Sequence, residues 1–318
     1  MSSLKKAAEK CLKVCMNLKS SESCLIIYTK DKKKIAYALF KQGLKISDKI
    51  KLLEIPIFKV NGQEPPKFAA KEMLDYKVIL IATSASLSHT KARRDVTKKG
   101  ARIASMPSIT QEIFIRGMNA DYKKIKKRTE KLKKILTKGK KVNIITKKGT
   151  DIRINIKGRK CHGGSGIFNK KGKWGNLPGG EACLAPLEGK TNGTFVVDAS
   201  FAGVGKVKKP IILTVKKGYV VKIKGGKEAL KLKNILRKVK DKNAYNIAEL
   251  GIGTNDKAKI TGNILEDEKV MGTAHIALGN NKSYEGKIDV PIHLDGVFSK
   301  PTIIIDDKKI MENGKLLI

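Results

Sequence analysis

Residues 77–90 read KVILIATSASLSHT, an apolar run that passes into a loop of small and hydroxylated side chains. A short continuous apolar run bounded by turn-forming residues suits a strand covered on both faces, as in a parallel sheet. Open sheets of that kind bind ligands in loops at the carboxyl ends of their strands, so His89 and Thr90 are noted there. The plainer reading of the same loop is a helix cap with a surface histidine. Working outward, residues 4–18 show helical periodicity, 24–28 (CLIIY) and 51–58 read as strands, and 32–43 as a helix ending at glycine. Downstream, 92–99 reads as a helix and 101–106 as a further strand. Strands spaced by helical segments predict an α/β, Rossmann-like domain with helices on the faces of a parallel sheet.

The pattern changes after the lysine-dense run at 123–141, DYKKIKKRTEKLKKILTKGKK with its flanks, which places Ile125, Leu132, Ile135 and Leu136 on one stripe. That is an amphipathic helix with a solvated basic face. Beyond it, residues 142–146, 151–156, 194–197, 211–215 and 219–223 read as strands, several joined by turn signals, and 227–240 as one strong helix. The fold class expected is therefore α/β plus α+β, divided as 1–138 and 139–318.

The chain's 318 residues suffice for two domains, each with its own core. A formal net charge of +39 invites a nucleic-acid reading, but the lysines are scattered through nearly every segment and aromatic content is only 5%. No specific nucleic-acid partner is expected. Five cysteines, an odd number crowded towards the start, do not form a disulfide framework. No segment has the apolar length of a transmembrane helix or secretory signal, so the expectation is a cytoplasmic protein without a membrane partner.

The last quarter carries the chemistry. Glu249, His275, His293 and Asp295 arrive inside glycine-punctuated segments, and two of the chain's four histidines fall here beside carboxylates. These are the side chains that hold zinc, cobalt, manganese or iron. His293 and Asp295 are two apart in VPIHLDG, so on a strand they share a face, and His275 sits in GTAHIALG between glycines. Glu249 is a lone acid in an apolar run, costly to bury without a cation. Glu181 closes GNLPGGE, a rigid turn, while the run Glu266, Asp267, Glu268 reads as a solvated or capping loop. In CHGGSG at 161–166, His162 reads as part of a glycine-rich loop near the site rather than half of a Cys/His pair, and Cys183 as a small buried residue. Two histidines and an aspartate make the facial triad of non-haem iron enzymes; with more carboxylates they make half of a two-metal hydrolase site.

The motifs 176–181 (NLPGGE), 249–255 (ELGIGTN), 267–269 with 272–279 (DEK and GTAHIALG) and 293–295 (HLD) resemble, in this order, the thermophilic metallo-aminopeptidases of the aminopeptidase T and S type. The resemblance covers residues from about 142 onward, with GTD at 149–151 and GR at 158–159. It implies Glu181, Glu249, His275, His293 and Asp295 as ligands of two divalent ions (zinc, cobalt or manganese). It further implies that Glu181 or Glu249 shuttles a proton and that Tyr284 steadies the tetrahedral intermediate. The expectation is thus a peptide-cleaving homodimer. The shorter first half, with SHTKARRDVTKKGARIASMP at 88–107, is instead similar to the related dihydroxypyridine ring-cleaving dioxygenases. That second resemblance implies a single Fe(II) held by His275, His293 and Asp295. A third alternative is a non-catalytic basic binding protein.

Overall fold

Five strands run parallel in one sheet in the order Ile50–Glu54, Cys24–Tyr28, Val78–Thr83, Arg102–Pro107 and Trp174–Asn176. The computed structural model describes residues 3–58, 60–88 and 90–318; His89 lies outside them. Two of the three inner strands, Cys24–Tyr28 and Val78–Thr83, are buried at every position, the burial that their unbroken apolar runs predict. Helices Lys33–Gly43, Lys67–Glu72 and Lys91–Lys98 alternate with the strands, and Thr90 caps the last of these by accepting from the Arg93 amide. The predicted helix at 4–18 is Ser3–Lys10 continued by a wider turn at Cys11–Cys15. Residues Leu25, Ile27, Ile79, Ile81 and Ile103 form the centre of this unit's core.

The fifth strand comes from far along the chain. Gly166–Gly179 joins Met1–Lys126 in one compact unit, and Lys127–Ser165 with Gly180–Ile318 make the other. Within the first unit, the Arg93 guanidinium stacks 3.7 Å from the Trp174 ring centroid, which fastens the late strand to the Lys91–Lys98 helix.

The second unit has two antiparallel sheets. One holds eight strands, among them Lys141–Ile145, Asp151–Asn155, Thr191–Val197, Ile211–Lys216 and Tyr219–Lys224. The other holds seven, in the order Gly205–Lys206, Ser200–Phe201, His293–Ser299, Thr273–Gly279, Ile247–Gly253, Glu181–Leu184 and His162–Gly164. Ile144, Ile152 and Phe195 of the first meet Leu184, Leu250 and Ile276 of the second in one apolar cluster. Leu232 and Leu236 of the helix Lys227–Lys238 join it. The fold is α/β plus α+β, as the sequence predicts. No helix of the described residues is long and apolar enough to cross a membrane.

Candidate metal centre

Register decides which side chains meet. In an antiparallel sheet, opposed residues share a face, as do alternate residues along each strand. Gly253 pairs with Glu181, Gly251 with both Cys183 and His275, and His275 with Val297. One step along, Glu249 pairs with Ala277 and Ala277 with Asp295; one further, Gly279 pairs with His293. All five predicted ligands therefore project from one face, and Leu184, Leu250, Ile252, Ile276, Leu278 and Phe298 enter the core from the other. A register shift between Ile247 and Glu249 brings the glutamate opposite Ala277. Small residues between the ligands leave them room. A Cβ on Gly251 would lie 2.0 Å from His275 Nε2, so the imidazole lies directly over that glycine.

His293 Nε2 is 2.9 Å from Glu249 Oε2 and 3.4 Å from Asp295 Oδ1, and His275 Nε2 is 3.5 Å from Glu249 Oε1 and 3.8 Å from Glu181 Oε2. Among the described residues the ligand atoms fall into three overlapping triples: Glu181–Glu249–His275, Glu249–His293–Asp295 and Glu268–His275–Asp295. Glu249 thus links the two histidines. It is 2% exposed and His275 is wholly buried.

His293 Nδ1–H donates to the Asn280 carbonyl at 2.7 Å, which turns Nε2 towards the acids. Among the described residues, neither ring nitrogen of His275 has a hydrogen-bond partner. Burial alone would lower the His275 pKa, but Glu249, Asp295 and Glu181 outweigh it and push the imidazole up to about 9. His293 is likewise raised, by Asp295 and Glu249 against burial. The same contacts hold Glu249 well below the usual carboxylate range, although burial opposes them. Both imidazoles are therefore charged when no other cation is present. Unpartnered buried imidazole nitrogens amid several carboxylates form a donor set that fits a divalent transition metal.

Glu268, read from the sequence as part of a solvated or capping loop, enters the site together with its neighbour Lys269. Lys269 is 1% exposed, and its Nζ lies 2.5 Å from Glu181 Oε1 and bonds Glu268 as well. Burial pushes the Glu268 carboxyl up to about 8, with Glu181 and Asp295 adding to the rise and Lys269 opposing it. The sequence signal was the DEK run at 267–269, a motif of the resemblance that lies just ahead of the strand Thr273–Gly279. His162 begins an edge strand of the same sheet and pairs with Cys183, which puts it on the site's face. Its Nε2 is buried without a partner, and burial lowers its pKa.

Tyr284 stands in the loop between the two histidine strands. Its ring centroid is 5.9 Å from that of His293 and 5.7 Å from that of His162. Burial and the neighbouring acids, Glu249 foremost, raise the phenol above its ordinary pKa. The loop hangs on Glu188, whose carboxylate accepts from Asn281 Nδ2 at 2.9 Å and the Lys287 amide at 2.8 Å, and pairs with Arg159. Asn281 in turn accepts from the amides of Tyr284 and Gly286 through its carbonyl.

Comparison with known proteins separates the two resemblances. The family described as "NicX: 2,5-dihydroxypyridine 5,6-dioxygenase" matches residues 55–318. A 2,5-dihydroxypyridine 5,6-dioxygenase of Pseudomonas putida is 24% identical over 255 residues, covering 75% of this chain and 71% of the relative. The solved structure of 2,5-dihydroxypyridine dioxygenase from Pseudomonas putida KT2440 superposes with a TM-score of 0.88 at 20% identity, covering 100% of this chain and 98% of its own. AmpT from Thermus thermophilus superposes with a TM-score of 0.75 at 14% identity, covering 99% of each chain, a likeness of fold. The expectation of a hydrolase is corrected by these findings: neither aminopeptidase nor protease describes the family that matches. Both enzyme classes draw on the same imidazole and carboxylate donors, so reading ligands from the sequence led to the wrong reaction.

Proposed function

Because the chain belongs to the 2,5-dihydroxypyridine 5,6-dioxygenase family, we propose that it is an Fe(II)-dependent dioxygenase that opens a dihydroxylated pyridine-type ring. The observation that carries this reading is the family match across residues 55–318, which takes in every strand of the His/carboxylate face. His275, His293 and Asp295 are the ligands of this reading, the two-histidine, one-carboxylate set used by non-haem iron oxygenases. Bound there, ferrous iron supplies the one-electron chemistry that dioxygen needs to react with a closed-shell aromatic ring.

The chain's own residues do the rest. The Asn280 carbonyl holds His293 in the tautomer that presents Nε2. Glu249 stays anionic and buried between the two imidazoles, an acceptor for a hydrogen bond from a ring hydroxyl. Tyr284 keeps its proton, so its phenol is a donor, and its ring against His293 shields that side from water.

The test is oxygen uptake by protein loaded anaerobically with Fe(II) and given 2,5-dihydroxypyridine, with a leucyl peptide as control. Uptake of about one O2 per ring consumed, with loss of the ring's absorbance and no leucine released, is expected. Absence of uptake across hydroxylated pyridines and benzenes in iron-loaded, folded protein would end this reading.

A further inference from the structure

Lys269 has an unusual position for a lysine. Lysines are rarely buried unless paired, and this one is 1% exposed with its ammonium between Glu181 and Glu268. Its backbone is laced to the end of a site strand: Asn255 N donates to Lys269 O at 2.9 Å, and Met271 N to Asn255 O at 2.9 Å. The ammonium is therefore a fixed charge, not a mobile side chain resting against the site.

Its two carboxylates matter more. Of the three overlapping triples of ligand atoms, one contains Glu181 and another contains Glu268. Both of those carboxylates are bonded to Lys269. Only Glu249–His293–Asp295 is free of it. Two divalent ions about 3.5–4 Å apart need bridging and flanking carboxylates on both sides. Here the flanking acids on the Glu181 side already bond a cation, and that cation cannot be chelated away.

We propose that the Lys269 ammonium stands where a second metal ion would otherwise sit, and so limits this face to one ion. The inference rests on the one-metal reading above and assigns the residue that enforces it. Lys269 acts through Glu181 and Glu268 rather than on a substrate, which makes it a positioning residue. Removing its charge should release both carboxylates to complete a second site with Glu249.

The test counts ions rather than turnover. Wild type, Lys269→Met and the double variant Lys269→Met with Glu181→Gln are dialysed anaerobically against Mn(II). Bound manganese is then counted, and its paramagnetic resonance recorded, on protein shown to be folded by near-ultraviolet circular dichroism. About one ion per chain in wild type, about two with an exchange-coupled spectrum in Lys269→Met, and about one again in the double variant is expected. Folded Lys269→Met that still takes one ion overturns the inference alone, whereas a wild type that takes two overturns the one-metal reading with it. A wild type that takes none overturns both the inference and the one-metal reading. Should Lys269→Met fail to fold, Glu181→Gln decides: it keeps one ion at unchanged affinity if Lys269 holds Glu181, and loses it if Glu181 is itself a ligand.

Discussion

The strands Val78–Thr83 and Thr273–Gly279 are alike in one respect, being buried at every position, and opposite in what they bury. In the first, both faces are apolar or small, and Ile79 and Ile81 go into an apolar core. In the second, Ala274, Ile276 and Leu278 go into a core while His275 goes into a nest of acids. Burying an apolar face stabilises the fold by removing surface from water. Burying opposed charges at incomplete hydrogen-bond geometry contributes little net stability and leaves a field into which a metal fits. The parallel sheet is thus held by its own packing; the site sheet packs on one side and gathers its imidazole and carboxylate donors on the other.

The largest expected effect contrasts the two directly. His293→Ala should abolish metal retention and lower ring-cleaving turnover by at least about a thousandfold, with the fold retained. Ile79→Ala, fully buried in the parallel sheet's core, should cost about 2–5 kcal/mol of stability yet leave metal per folded chain unchanged. Metal analysis beside denaturant melts reads both, and loss of metal in folded Ile79→Ala would break the comparison. A subtler blow to the same face is Gly251→Ala, whose methyl would sit 2.0 Å from His275 Nε2. The displaced imidazole should weaken metal affinity about ten- to a hundredfold, measured by competition with a chromophoric chelator.

Proton linkage gives the smallest effect and the sharpest sign. His275 is pushed up to about 9 and His293 is raised, so in metal-free protein both are charged at neutral pH. The His275 contribution to metal-free stability is fully present below the unfolded imidazole pKa of about 6.5 and is lost as pH rises through about 9. Metal binding runs the other way, because the ion must displace those protons. Affinity should climb about tenfold or more between pH 6.5 and 8, with protons released into a weakly buffered solution during titration. A flat affinity profile would mean that the histidines are already neutral.

Much of this was legible in the sequence, for physical reasons. Apolar runs such as CLIIY at 24–28 and VILIA at 78–82 can only be doubly covered strands, so the parallel sheet was readable. His293 and Asp295, two apart, had to share a face, and a lone Glu249 in an apolar run needed a partner. The strand Trp174–Asn176 was missed because three residues carry no periodicity and its partner Arg102–Pro107 lies far back along the chain. Glu268 was read as part of a solvated or capping loop, and Lys269 was given no role, because their burial comes from contacts made by distant strands. His162 gave no signal of its face until the edge strand was paired with Cys183. The reaction was hardest to read, since the donors are common to both chemistries.

Glu188 gives the loop between the histidine strands a property that sequence alone does not suggest. Asn281, Lys287 and Arg159 all converge on its carboxylate, and Asn281 carries the amides of Tyr284 and Gly286. Segments tied at one point open together or not at all. The loop is accordingly expected to open as one unit: its amides should share a single exchange rate, with the Tyr284 ring beside His293 leaving or returning together with them.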